Sequence, residues 1–178
     1  MIFFSSLPAP DNSAEPWRCR SVRSGLMYSG EPGRFMTLNF DNLSRCIQTL
    51  DRSLLHLEQT EPGSDDYEVY RNAVIKGFEL TLETSGKLLR KILRDYVGNP
   101  KTVDDLVFKD LFRQAARYNL LTPQEVERWF AYRDSRNDTA HDYGVEFAET
   151  VLKLIKAFLV DVRRLHDVLL SRQRAADC

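Results

Sequence analysis

Residues 65–97 read DDYEVYRNAVIKGFELTLETSGKLLRKILRDYV, and this stretch decides the fold. Tyr67, Tyr70, Val74, Phe78, Leu82, Leu89, Ile92 and Tyr96 recur at the spacing that lines one side of an α-helix. Pro62-Gly63-Ser64 breaks the chain before the stretch and Gly98-Asn99-Pro100 ends it. Gly86 inside the run costs about 1 kcal/mol against alanine, so the sequence predicts a neighbour packing close to it.

Periodicity of the same kind extends in both directions. Upstream, over roughly 40–58, Phe40, Leu43, Ile47, Leu50, Leu54 and Leu57 alternate in steps of three and four, giving a helix with a narrow apolar seam. Downstream, Thr102-Val103-Asp104-Asp105 resembles a capping box opening a helix over about 103–118. Thr122-Pro123-Gln124-Glu125 is a fuller start signal, with a cap, a proline in the first turn and an acid three residues on. That helix carries Val126, Trp129 and Phe130 and runs on towards Gly144. A last helix, about 145–172, repeats Phe147, Val151, Leu154, Ile155, Phe158, Val162, Leu165 and Leu169. With no strand-like alternation of comparable length, the expected fold is an all-α, up-and-down bundle of four to five helices.

The bundle is expected over 37–174. Residues 1–36 hold four of the seven prolines (Pro8, Pro10, Pro16, Pro32) without an apolar period, and read as a flexible N-terminal extension. Met36 opens the patterned part and is an alternative start. Hydrophobic residues make up 43% and charged residues 29% of the 178, the balance of a globular domain able to fill a core without disulfide or metal. Cys19, Cys46 and Cys178 share no paired spacing, which points to reduced thiols in the cytoplasm and against zinc. A net charge of -1 gives no global attraction to nucleic acid, so any RNA contact needs a local basic patch. No apolar run is long enough for a bilayer, and no membrane partner is expected.

Chemistry concentrates in residues 131–144, AYRDSRNDTAHDYG. In helical projection Arg133, Asn137 and His141 stand at i, i+4 and i+8, and Arg136 lies about 100° round from Asn137. An arginine fork matches phosphate oxygens and an imidazole moves protons near neutral pH, a pairing suited to phosphodiester cleavage without metal. RNA transesterification wants both a base and an acid, and one strip supplies one histidine. Two strips apposed across a two-fold homodimer axis supply two. The bland alternative is a solvated ladder in which Asp134, Asp138 and Asp142 balance Arg133 and Arg136. A metal site fits poorly, because arginines interleave the carboxylates and no ligand-pair spacing occurs.

Elsewhere the signals are structural. His56 and His166 read as surface or boundary residues, and Lys87, Arg90, Lys91 and Arg94 as a solvated helix face. Trp129 and Phe130 read as core or dimer contact. Arg113, Arg117 and Arg128 are candidates to extend a patch towards Arg136.

The run Arg136-Asn137-Asp138-Thr139-Ala140-His141, ending at Tyr143, resembles the R-x4-H signature of HEPN domains in the form R-N-x-x-A-H-x-Y. Phe78-Glu79-Leu80-Thr81-Leu82-Glu83, followed by Lys87-Leu88-Leu89, is similar to the F-E-F-T-x-E segment of the nucleotidyltransferase substrate-binding, HepT-like branch of that family. The resemblance covers about 37–172. It implies a dimeric helical bundle acting beside a minimal nucleotidyltransferase. It further implies, for many members, a metal-independent ribonuclease toxin needing no cofactor. Arg136 and His141 then form a composite site across the dimer, Asn137 and Arg133 support it, and Tyr143 is where the partner adenylylates the toxin to silence it. RNA is the implied partner, with tRNA and mRNA as candidate targets between which the sequence does not choose. Two departures stand out: Gly86 replaces a bulky aromatic, and Asp138 and Asp142 set negative charge beside the histidine, which raises a histidine pKa. The alternative is a non-catalytic subunit presenting substrate or nucleotide to the nucleotidyltransferase.

Overall fold

The computed structural model describes residues 40–97, 100–139 and 145–177. Among them every regular element is helical: α1 Asp41–Gln59, α2 Asp65–Tyr96, α3 Pro100–Asp104, α4 Phe108–Arg117, α5 Pro123–Thr139 and α6 Val145–Asp177. The extension expected over 1–36 lies outside the described residues.

Local chemistry sets each boundary. Gly63, at φ +85°, turns the chain between α1 and α2 in the left-handed region that glycine tolerates. Ser64 then caps α2, its hydroxyl accepting from the Tyr67 N–H at 3.1 Å and donating to the Glu61 carbonyl at 2.8 Å. The single helix expected over 103–118 is instead two. Arg90 on α2 donates to the carbonyls of Val103, Asp104 (3.0 Å) and Leu106 (2.7 Å), carbonyls left without intrahelical partners by the break. Thr102 therefore does not open α4, which starts at Phe108. At its far end Asn119 adopts φ 55°. The Leu120 N–H reaches back to the Ala115 carbonyl and the Asn119 N–H to that of Ala116, both at 3.0 Å, a Schellman closure. The Thr122 capping box forms as expected: Glu125 Oε2 accepts from the Thr122 N–H at 2.7 Å, and the Glu125 N–H reaches Thr122 Oγ1 at 3.3 Å.

Cross-helix contacts define the topology. His56 stacks on Tyr70 at 5.1 Å while Cys46 lies against Thr84, so α1 and α2 are antiparallel. Lys156–Glu58 and Arg163–Asp51 pairs set α6 antiparallel to α1. Arg164–Glu125 and Arg128–Asp161 do the same for α6 and α5. Thus α1, α2, α5 and α6 form an up-down-up-down bundle, with α3 and α4 bridging α2 to α5.

The seams read from sequence are the core. Leu43, Leu50, Val74, Phe78, Leu82, Leu89, Ile155, Phe158, Leu165 and Leu169 have no solvent exposure. Trp129, also fully buried, packs 4.8 Å from Phe112 and 5.7 Å from Phe158, which meets Phe78 edge-on at 4.8 Å. This aromatic joint locks α5 against α2, α4 and α6. Gly86 has the close neighbour its position predicts: a β-carbon built there would meet the Phe108 ring at 3.5 Å.

Candidate active site

The site begins with how α5 is held. Its first turns bury Val126, Trp129 and Tyr132, and behind them α6 offers Asp161, only 6% exposed. Arg128 donates to both oxygens of this carboxylate, at 2.6 and 2.7 Å, and the Tyr132 hydroxyl donates at 2.8 Å. Burial pushes the Asp161 carboxyl upwards, yet the hydrogen bonds from Arg128 and Tyr132 prevail and hold it below its ordinary value. Burial, then the bond to Asp161, push the Tyr132 phenol well above its usual range. Arg128 is thereby committed to α6 and does not extend a patch towards Arg136.

One turn beyond Tyr132 the helix becomes polar. Arg136 Nη2 donates to Glu83 Oε1 of α2 at 3.0 Å. The guanidinium side chain is 28% exposed and the carboxylate side chain 38%. The two stretches singled out in the sequence, 53 residues apart, therefore meet. Arg133 turns towards α4 and lies over the Phe108 ring, 5.0 Å from its centre. Asp134 pairs with Lys109 at 2.9 Å and not with Arg133, so at this position the alternative of an intrahelical ladder gives way to a tie between α4 and α5. Asn137 is exposed. His141, Asp142 and Tyr143 lie outside the described residues, as does the Asp138 side chain. Glu83 was legible only as a motif residue; nothing in its local sequence announced Arg136 as a contact.

The remaining candidates resolve simply. Trp129 is core, while Phe130 is half-buried beneath Lys109 and Arg113, whose charges sit 5.6 and 4.9 Å from its ring centre. Arg117 bonds Gln114 within α4. His56 is exposed against Tyr70. Ser44 Oγ lies 3.0 Å from His166 Nε2, and His166 Nδ1 lies 3.3 Å from Asp167 Oδ1, the order of a hydroxyl–imidazole–carboxylate relay. Ser44, however, sits inside α1 with its N–H given to the Phe40 carbonyl, and the Asp167 side chain is 78% exposed. The Ser44 N–H is already spent on Phe40 and the Asp167 carboxylate is solvated, so this contact ties α1 to α6 and does not build a nucleophilic site. Among the described residues no three His, Cys, Asp or Glu side chains gather to hold a metal ion, and no helix is long and apolar enough to cross a membrane.

The helical bundle thus brings together the R-x4-H arginine and the F-E-x-T-x-E glutamate, the two stretches on which the resemblance to HEPN domains rests. Residues 38–171 match the family described as nucleotidyltransferase substrate binding protein like, and the chain belongs to that HEPN/HepT-like family. It is 28% identical over 141 residues to a Haemophilus influenzae protein named probable ribonuclease HepT, covering 77% of this chain and 95% of that one. A solved Haemophilus influenzae structure described as the fold of a substrate binding domain of a nucleotidyltransferase superposes with a TM-score of 0.66 at 27% identity, over 74% of this chain and 98% of its own. A tri-AMPylated Shewanella oneidensis HEPN toxin, solved in complex with its MNT antitoxin, shares the fold at a TM-score of 0.54 and 21% identity, over 74% and 98% of the two chains.

Proposed function

We propose that the protein is the toxin of a HEPN/minimal nucleotidyltransferase pair, a cytoplasmic, metal-independent endoribonuclease whose composite site lies on a homodimer axis. The observation that supports this best is the Arg136–Glu83 contact, which seats the motif arginine at the polar end of α5. The pair is partly open to solvent, 28% at the arginine and 38% at the glutamate side chain, so an incoming phosphate competes with Glu83 for the guanidinium fork. Arg136 then holds the scissile phosphate and balances its growing charge. His141 of one protomer takes the 2′-hydroxyl proton, and the same residue of the other protomer protonates the departing 5′-oxygen. Arg133 and the exposed Asn137 support the bound strand. Tyr143, two residues from the histidine, is the position where a nucleotidyltransferase partner attaches adenylyl groups, blocking the site with bulk and negative charge.

The test is cleavage of labelled tRNA and unstructured RNA in excess EDTA, comparing wild type with His141→Ala and Arg136→Ala. Cleavage by wild type alone supports the reading; silence from folded, dimeric wild type overturns it. A second reading, a non-catalytic subunit that presents substrate to the nucleotidyltransferase, is favoured by the family's description and by the net charge of -1. It predicts partner binding with no cleavage.

A further inference from the structure

Beyond Glu83, α2 carries a second cluster of cations. From Thr84 to Arg94, α2 carries Lys87, Arg90, Lys91 and Arg94 and no acid, in a chain whose net charge is -1. On a 3.6-residue helix these four cations fall within about 100° of one another, on the face that also presents Glu83. Their commitments differ. Arg90 is bound to the carbonyls that end α3, and Arg94 pairs with Asp104. Lys87 and Lys91 are exposed, and no described residue forms an ion pair with either. With Asn42 and Thr84 they line an open groove of about 280 Å³ between the start of α1 and the second half of α2. Its neighbouring hollow adds the exposed Arg45, with Asp41 at the rim.

We propose that this strip is a binding track for the phosphate backbone of single-stranded RNA, leading away from Arg136. The proposal rests on the ribonuclease reading for its choice of ligand. The groove supplies the other half of the argument. Unpaired ammonium groups one helical turn apart match successive phosphates of an extended strand, and the Asn42 amide and Thr84 hydroxyl offer neutral hydrogen bonds to phosphate or sugar. Among the described residues no aromatic side chain lines the groove, so those residues offer bases no stacking surface. The contact is therefore one that positions RNA without selecting sequence. Because Lys87 stands one turn beyond Glu83, a strand with its scissile phosphate at Arg136 continues directly onto the lysines.

The test pairs Lys87→Gln with Lys91→Gln, both exposed positions, and adds Lys87→Arg with Lys91→Arg as the charge-retaining control. Binding of a short fluorescent unstructured RNA is titrated across salt in a His141→Ala background, and cleavage is followed with His141 intact. The glutamine pair is expected to shallow the slope of log affinity against log salt by about 1.4, or about 0.7 per lost phosphate contact. It is also expected to raise KM for long RNA with kcat kept, and to leave a dinucleotide substrate unaffected. The arginine pair keeps the wild-type slope. Cleavage by wild type with slope and KM unmoved in the glutamine pair overturns the track and leaves the ribonuclease standing. Binding with the lysine-dependent slope but no cleavage overturns the ribonuclease and leaves the track. Loss of the nucleotidyltransferase partner with RNA affinity unchanged also overturns the track, and assigns the strip to a protein contact.

Discussion

At position 86 the family resemblance leads one to expect a bulky aromatic, and the chain has glycine. Across the interface the Phe108 ring faces Gly86 and stacks on Phe112 at 4.5 Å, occupying part of the space a larger side chain would fill. Room remains for a single methyl, since an added β-carbon meets the ring at 3.5 and 3.7 Å, which is ordinary contact. Gly86→Ala is therefore expected to stabilise the fold by about 0.5–1 kcal/mol through helix propensity, visible as a higher melting temperature. Gly86→Trp should lower it, and Phe108→Ala in the same chain should recover part of the loss; equal, additive losses would mean the two positions do not share one space. Asp161 makes a second residue-scale case. Asp161→Ala strands the buried Tyr132 hydroxyl and removes the acceptor of Arg128, costing about 1–3 kcal/mol in a denaturant titration. Its carboxyl is held below its ordinary 3.8 in the folded state. The stability it contributes is present above that value and is lost as pH falls through the lower folded value. The Asp161→Asn protein should accordingly show a shallower loss of stability below about pH 4 than wild type does.

Among the elements, what could be read in advance was what local spacing encodes. The three-and-four seams of α1, α2 and α6 place Leu50, Phe78 and Phe158 in the core because a helix repeats every 3.6 residues whatever surrounds it. Thr122 and Glu125 were legible for the same reason, as both halves of the cap lie within one turn. The break between α3 and α4 was not, because what stabilises it is remote: Arg90 reaches carbonyls 13, 14 and 16 residues away. Glu83 and Arg136, 53 residues apart, were each quoted from the sequence, but their meeting depends on how α5 seats against α2. Arg133 shows the limit of projection. It shares a helical face with Asn137 on paper, yet it is drawn onto Phe108. Replacing Arg90 with alanine removes a donor from three carbonyls at once and leaves Val103 with the Leu106 N–H at 3.3 Å. The expected result is faster amide exchange across residues 103–108 and a loss of about 1–3 kcal/mol, with α1 and α6 amides little changed. Uniform acceleration across the chain would show that the bridge is not a separate unit of stability.

For the molecule as a whole, the bundle places Arg136 in the last turn of α5, against Glu83 of α2. Each chain carries a single R-x4-H run, and so a single His141 for a reaction that needs a base and an acid. If the proposed site is composite, its base and its acid come from different protomers, and one defective chain should silence the dimer. Wild-type and His141→Ala chains can be co-expressed with different tags and the mixed dimer isolated through both. A site that needs the histidine of each protomer predicts cleavage close to that of the His141→Ala homodimer. A site contained in one protomer predicts about half of the wild-type rate, because one of two symmetric copies stays whole. The same mixed dimer separates catalysis from tethering along α2, since both of its chains keep Lys87 and Lys91 and should bind RNA with the wild-type salt dependence. Loss of cleavage at unchanged RNA affinity would therefore locate the defect in the shared chemistry and not in how the strand is held.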